Sequence, residues 1–106
     1  MNRLTSSFWV QAYIKKLNLL GVPAFVVSHG DDTAGAIIIK VNKLNGDAVL
    51  FERSFSLDKN VNQWSKFESG DEKEIDELLS RQLSRDRDLW IVEIESREGD
   101  PFLDDI

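Results

Sequence analysis

The sequence predicts a small α+β domain with the element order α-β-β-β-α-β, a mostly antiparallel sheet and two helices. Two segments carry apolar residues at helical spacing, and four short runs, three between the helices and one after them, are rich in strand-forming residues. The chain has 106 residues and is 42% hydrophobic, which suits a single core. We therefore expect one domain over residues 1–106, with an acidic C-terminal tail over residues 98–106.

The first helix is predicted from the pattern that follows residues 5–7, which offer Thr and Ser as N-caps. Five apolar residues then recur at three- and four-residue spacing, namely Val10, Tyr13, Ile14, Leu17 and Leu20. Gly21 and Pro23 end the pattern. Trp9 lies beside the apolar stripe, and we expect it to anchor the core.

Three strands are predicted next, in "VPAFVVS", "AIIIKVNKL" and "AVLFERSF". The pair Asn45-Gly46 separates the second run from the third. This pair favours a hairpin, because a type I′ turn needs positive φ at both of its central residues. The second and third strands are therefore predicted to be antiparallel neighbours.

A two-residue turn fixes the register of this hairpin, setting Val41 opposite Leu50 and Lys40 opposite Phe51. One face of the hairpin would then carry Ile37, Ile39, Val41 and Leu50. The other face would carry Ile38, Val49 and Phe51. Since both faces are apolar, we expect helices or a second subunit to cover parts of each.

The second half of the chain is predicted to hold one helix and one strand. Residues 56–70 have no clear period and indicate a connection that contains Trp64 and Phe67. A helix follows over residues 71–87, with acidic residues in its first turn and arginines in its C-terminal half. The last strand covers residues 89–95.

Composition excludes several classes of function. The formal net charge of -6 disfavours nucleic acid as a partner, because phosphate backbones are repelled by an acidic surface. The chain has no cysteine, which excludes thiol catalysis, disulfides and thiolate zinc sites. No apolar run approaches the about 20 residues that span a bilayer. We expect a cytoplasmic protein without membrane association, cofactor or resident metal.

The stretch "SHGDDTAG" holds the first group of candidate catalytic residues, His29, Asp31 and Asp32. A histidine beside two carboxylates can bind a divalent metal or act as a general base. The same residues are also what a turn between two strands requires, since Gly and Asp favour turns. Both interpretations stay open at this point.

The last strand holds the second group of candidates, because alternation places Glu93 and Glu95 on one face together with Arg97. Two carboxylates about 7 Å apart could flank a cation or a water, given a rise of about 3.3 Å per residue. The alternative is a ladder in which cations on a neighbouring strand neutralise the acids. Lys40, Arg53 and Arg97 are candidate binding residues, and the predicted register places Lys40 and Arg53 on one face.

The predicted order α-β-β-β-α-β is similar to the core of the restriction-endonuclease-like fold, which implies a nuclease-like hydrolase. That family pairs an acid on the second strand with Glu-x-Lys on the third. Here "VLFERSF" offers Glu52 without the x-Lys that should follow, and the first helix lacks the acid often found there.

Three segments, "FWVQAY", "GDDTAGAIIIKVN" and "DLWIVEIESREG", resemble a family of short uncharacterised proteins found mainly in alphaproteobacteria. The likeness covers nearly the whole chain. It implies a bacterial, cytoplasmic context and no particular reaction, substrate or partner.

The leading functional hypothesis is a non-catalytic protein-interaction or regulatory module with an unknown protein partner. Trp64, Phe67 and Phe102 are its candidate contact residues, because aromatic residues in loops and tails either cover a core or touch a partner. The alternative is a metal-assisted hydrolase that uses the two acidic groups with His29. Homodimerisation is a third hypothesis, since it would cover the second apolar face of the hairpin.

Overall fold

The fold is given by a computed structural model, which describes residues 5–56 and 61–103. Its elements in chain order are α1 (Ser6–Leu19), β1 (Ala24–Ser28), β2 (Ile37–Asn42), β3 (Asp47–Ser56), β4 (Val61–Asp71), α2 (Glu72–Arg85) and β5 (Trp90–Glu95). None of the described helices is long and apolar enough to cross a membrane.

The predicted fold class is confirmed: two helices pack on a mostly antiparallel sheet. The five strands lie in the order β1-β5-β2-β3-β4. Only β2 and β5 are parallel neighbours, and the other three pairs are antiparallel. The last strand therefore enters the middle of the sheet, and β1 and β4 form its two edges.

The order of elements differs from the prediction by one strand, because β4 occupies most of the segment that we expected to be a connection. Two physical features hide this strand in the sequence. It is an edge strand in which polar residues outnumber apolar ones, and its alternation is interrupted by a bulge near Phe67, where the pairing to Leu50 and Phe51 shifts. The extra strand also removes the predicted likeness to the order of the restriction-endonuclease-like core.

The predicted hairpin between β2 and β3 exists, but its register is shifted by one residue. Val41 lies opposite Val49 and Lys40 opposite Leu50. The turn is longer than predicted, since the amide of Lys43 donates to the carbonyl of Asp47 around residues 44–46. Because side chains alternate between the two faces, a shift of one residue changes which side chains of β3 share a face with a given side chain of β2.

The sheet carries a separate hydrophobic core on each face. On one face α1 covers residues of β2, β3 and β5, including Ile39, Val49 and Val92. On the other face α2 covers Ile38, Leu50 and Ile91. The prediction that both faces are covered is therefore confirmed, and the chain's own helices provide the cover.

Helix α1 has defined ends that agree with the sequence pattern. The side chain of Thr5 accepts a hydrogen bond from the amide of Phe8, which caps the N-terminus. At the C-terminus the amides of Gly21 and Val22 donate to carbonyls of the last turn, and Gly21 has φ +75°. This is a Schellman-type ending, in which glycine accepts the left-handed conformation at low cost. Trp9 is buried, as predicted.

The C-terminal segment lies against α1 as far as residue 103. The hydroxyl of Tyr13 donates to the carbonyl of Pro101 at 2.7 Å, and the ammonium of Lys16 donates to the carbonyl of Phe102 at 3.1 Å. Phe102 and Leu103 pack against the core on the α1 face. Residues 104–106 of the predicted acidic tail are outside the described part of the chain.

Candidate functional site

The loop from His29 to Gly35 joins β1 to β2 and holds the N-terminus of α1. The carbonyls of Asp32 and Thr33 accept hydrogen bonds from the amides of Ser7 and Ser6. The hydroxyl of the buried Ser6 donates to the carbonyl of Gly35 at 2.6 Å. The loop thereby satisfies the amides of Ser6 and Ser7, which have no partner within the helix.

The predicted catalytic side chains of this loop make local contacts. The carboxylate of Asp31 accepts hydrogen bonds from the amides of Thr33 and Ala34, as in an Asx turn. The ring of His29 contacts Asp32 at 2.8 Å and lies 4.1 Å from the ring of Trp90, measured between centroids. These contacts favour the turn interpretation of the loop.

Lys40 is the centre of a group of polar side chains in the sheet. It lies in the middle of the sheet on the α2 face, with 3% of the residue exposed. Its ammonium contacts Glu72 and Asp76 of α2, both at 2.7 Å, and Glu93 of β5 at 3.3 Å. Asn42 adds hydrogen bonds to Glu72 and Glu93. We call these five residues the Lys40 cluster.

The charge of Lys40 is compensated within the cluster. Burial alone would lower the pKa of the Lys40 ammonium, but hydrogen bonds to Asp76 and Glu72 and the charge of Glu93 raise it well above its ordinary value. The lysine therefore stays protonated at neutral pH. An ammonium held in this way is a fixed cation and cannot act as a base or a nucleophile.

The predicted ladder at Glu93 is thus a cross-strand ion pair with a cation on the neighbouring strand. Lys40 and Glu93 are direct partners in the parallel pairing of β2 and β5. Glu95 lies two residues further along the same face. Arg53, in contrast, is on the opposite face, so the predicted sharing of one face by Lys40 and Arg53 is wrong, because of the one-residue shift in register.

The two acidic groups that the hydrolase hypothesis combines are separated by the sheet. His29 contacts Trp90, whose side chain belongs to the core on the α1 face. Glu93 contacts Lys40 on the α2 face. Among residues 5–56 and 61–103, no three side chains of the types His, Asp and Glu are placed to hold a metal ion together.

The other predicted binding residues lie in several places. Trp64 packs on Trp9 with 5.0 Å between ring centroids, and the guanidinium of Arg53 is 5.9 Å from each of these two rings. Phe67 is half-buried against the core on the α2 face. Arg97 is exposed in the turn after β5. Trp64, Phe67 and Phe102 thus all contribute to packing within the molecule.

A surface that the sequence analysis did not select lies along β1. Phe25, Val26 and Val27 are 46%, 40% and 51% exposed, although all three belong to a strand of the sheet. Val27 is the extra residue of a bulge, since Val26 pairs with Val92 and Ser28 with Ile91. We call these three exposed residues together with the open backbone of β1 the β1 edge surface.

A groove of about 360 Å³ separates the β1 edge surface from α1. Its apolar lining is provided by Val10, Ile14, Val26 and Trp90. The polar lining residues are Ser7, Gln11, Lys15, Asn18 and His29, so no carboxylate lines the groove. No pattern in the sequence indicates this surface, because the uncharged run "AFVVS" is what a buried strand would also show.

The fold and these surfaces can be compared with known proteins. The sequence model of DUF1491, described as a protein of unknown function, matches residues 4–104. The chain belongs to the DUF1491 family. This membership confirms the resemblance seen in the three sequence segments, and it assigns no function. Among curated proteins, none is significantly similar to this DUF1491 chain.

Solved structures support the same fold. A crystal structure of a DUF1491 family protein from Caulobacter crescentus CB15 is 36% identical, covers 96% of each chain and has a TM-score of 0.85. An NMR structure of a DUF1491 family protein from that organism is 34% identical over 97% of this chain and 96% of that chain, with a TM-score of 0.74. The solution structure of protein Atu0922 from A. tumefaciens is 29% identical over 90% and 87% of the two chains, with a TM-score of 0.74.

Proposed function

We propose that this DUF1491 protein is a non-catalytic protein-interaction module, which binds an extended segment of a partner along β1. The observation that carries the proposal is the exposure of three consecutive apolar side chains on an edge strand. An extended peptide that adds a strand to an open sheet edge gains main-chain hydrogen bonds, and pockets beside the edge select its side chains.

The backbone of β1 supports this mode of binding. The amide of Glu95 donates to the carbonyl of Pro23, which makes these two residues a hydrogen-bonded pair. Hydrogen-bonded and non-hydrogen-bonded pairs alternate along an antiparallel ladder. The amide and carbonyl groups of Ala24 and Val26 therefore point away from β5, toward the open edge.

The contrast between the two edges of the sheet also supports the proposal. The opposite edge strand, β4, carries exposed charged residues, namely Lys66, Glu68 and Asp71. Charged side chains on an edge strand oppose pairing with another chain. The sequence of β1, Ala24–Ser28, carries no charge, so it lacks this protection.

The state of the polar residues favours binding over catalysis. Each carboxylate of the Lys40 cluster contacts the same fixed cation, and the carboxylate of Asp31 caps a turn. A hydrolase needs a nucleophile or metal with a base within reach of one substrate atom. Within the described residues these groups are used for structure.

The partner segment should be extended and should present an apolar side chain to the groove between α1 and β1. The apolar floor at Ile14, Val26 and Trp90 would bury such a side chain. The rim holds Lys15 and His29, which would favour an acidic group of the partner close to that side chain.

Parallel affinity captures from a Caulobacter crescentus lysate test the proposal, with the wild-type chain, Val26→Lys and Ser65→Lys as baits. Val26→Lys puts a charge on the β1 edge surface, whereas Ser65→Lys puts the same charge on exposed β4. We expect a partner that wild type and Ser65→Lys retain and Val26→Lys loses. The purified partner should then bind Val26→Lys at least about tenfold more weakly by calorimetry, since edge charges oppose strand addition.

Circular dichroism and thermal melting of each bait serve as controls for folding. If the three folded baits retain the same partners with equal affinity, the β1 edge surface is not where the protein binds, and the proposal is wrong.

A further inference from the structure

We infer that the segment that occupies the β1 edge is β1 of a second copy of this chain, so that two sheets join into one. This inference rests on the proposed function and names its partner. The two β1 strands would run antiparallel about a two-fold axis beside Phe25. A two-fold arrangement requires a surface that is complementary to itself, and three features of β1 meet that requirement.

The first feature is the spacing of the outward backbone groups. The backbone amides and carbonyls of Ala24 and Val26 point toward the open edge. These two residues lie on either side of Phe25. In the antiparallel pairing, Ala24 of each copy lies opposite Val26 of the other. Each of these two pairs forms two backbone hydrogen bonds, one donated by each residue. Every outward group between residues 24 and 26 then has a partner.

The second feature is the exposed side chain of Phe25. It lies opposite Glu93 in the pairing of β1 with β5, on the α2 face of the sheet, and no described residue of β1 belongs to the core that α2 covers. In the symmetric pairing, Phe25 of one copy faces Phe25 of the other at a non-hydrogen-bonded position, where Cα atoms approach to about 4.5 Å. The two rings would cover each other and would be shielded from water.

The third feature is the distribution of charge at the two ends of β1. Lys15 lies exposed in the helix that precedes the strand, and Asp31 and Asp32 lie exposed in the loop that follows it. Antiparallel pairing brings the start of one β1 beside the end of the other. Lys15 of each copy is thus brought toward Asp31 and Asp32 of the other copy, which favours this orientation in a chain of net charge -6.

Sedimentation velocity over a range of concentrations tests the inference with the wild-type chain and two lysine variants. Phe25→Lys places two like charges face to face at the two-fold axis, and we expect it to weaken self-association at least about tenfold. Phe8→Lys is the matched control, because Phe8 is 56% exposed on α1 and does not line the groove beside β1. We expect the control to associate like wild type.

A cross-linking experiment tests the register and does not depend on the folding of Phe25→Lys. The chain has no cysteine, so a single introduced cysteine reports one contact. Facing positions at about 4.5 Å are within the Cα separation of a disulfide. On mild oxidation Phe25→Cys should form a covalent dimer, and Phe8→Cys should stay a monomer.

The inference is overturned if wild type sediments as a monomer at every concentration, or if Phe25→Lys folds and still dimerises like wild type. It is also overturned if Phe25→Cys forms no disulfide-linked dimer. The proposed function fails separately, when folded Val26→Lys binds every partner of the wild-type bait, a second copy included, as tightly as wild type does. If wild type is a monomer and Val26→Lys loses its captured partner, the proposed function stands. The second copy is then excluded as the occupant of the β1 edge.

Discussion

At the scale of single residues, the loop from His29 to Gly35 depends on the absence of side chains at two positions. A Cβ atom added to Gly30 or to Gly35 would lie 2.2 Å from the carbonyl oxygen of Asp88. The loop therefore lies directly on the chain that enters β5, and the amide of Asp31 donates to the same carbonyl. Only glycine permits this close approach of two backbones.

Gly35→Ala should reduce the free energy of unfolding by about 3 kcal/mol, at the upper end of the cost of overpacking. Gly46→Ala is the control, since nothing lies within 4 Å of an added Cβ there and only its φ of +93° is unfavourable. We expect about 1 kcal/mol for that strain. Urea denaturation measures both values, and equal losses would show that the close approach to Asp88 does not limit the loop.

Some of these residue roles can be predicted from the sequence, and others cannot. Trp9 as a core anchor and Thr5 as an N-cap follow from helical spacing and local capping rules. The turn at Asp31 was one of two open interpretations, and only the surrounding backbone decides between them. The burial of Lys40 depends on α2, a helix distant in sequence, so no local pattern indicates it.

At the scale of secondary-structure elements, the Lys40 cluster joins α2 to the centre of the sheet. Lys40 in β2 and Glu93 in β5 lie side by side, and Glu72 and Asp76 reach them from the first turns of α2. The helix is thus tied to two strands by polar contacts in addition to its apolar stripe. Breaking a buried ion pair by removing one partner usually costs about 3–5 kcal/mol.

Lys40→Met should lower the free energy of unfolding by about 3 kcal/mol, because three carboxylates lose their common cation. The value lies at the low end of the range, since Glu72 and Asp76 are partly exposed and can be hydrated. Lys66→Met, the same substitution at an exposed position of β4, should change it by less than about 0.5 kcal/mol.

Hydrogen exchange of the α2 amides provides a second measurement on Lys40→Met. We expect faster exchange in the first turns of α2, where Glu72 and Asp76 lie, and little change in α1. Uniform acceleration in both helices would contradict the view that the cluster specifically fastens α2.

The elements show where sequence patterns are sufficient. Both helices and the hairpin were predicted, because helical spacing and an Asn-Gly pair are local signals. The strand β4 was not, because its bulge and polar edge residues break the two-residue period. The register of the hairpin was wrong by one residue, since Leu44 and Gly46 both adopt positive φ in a turn longer than two residues.

At the scale of the whole molecule, two buried proton-binding groups make stability depend on pH in the alkaline range. Burial, with a contribution from the charge of Asp100, raises the pKa of the Tyr13 hydroxyl well above its ordinary value. The carboxylates of its cluster raise the pKa of Lys40 despite burial. Both groups therefore hold their protons more strongly in the folded chain than in the unfolded chain.

Stability should fall as pH rises above about 10, where unfolded tyrosine and lysine begin to lose their protons. Above that pH the folded state binds more protons than the unfolded state, so unfolding releases protons and becomes easier. The contribution is complete below the unfolded pKa values and is lost as pH rises through the folded ones. Tyr13→Phe should remove part of this dependence. A free energy of unfolding that stays constant between about pH 9 and pH 11 would contradict it.

The candidate surface also belongs to the scale of the whole molecule, and this explains why the sequence did not indicate it. The run "AFVVS" is typical of a buried strand. Its exposure follows from the place of β1 at the edge of the sheet, which depends on the insertion of β5 between β1 and β2. The aromatic residues that we expected to contact a partner, such as Trp64, instead pack against the two hydrophobic cores.

The most direct test of the β1 edge surface is backbone hydrogen exchange by NMR as the protein concentration is raised. The amides of Ala24 and Val26 point toward the open edge, so they should exchange rapidly in dilute solution and become protected when a second copy adds its strand. Amides along β4 serve as the internal control and should not change. If Ala24 and Val26 exchange rapidly at every concentration, and also in the presence of any captured partner, no strand is added to β1 and the account of binding is wrong.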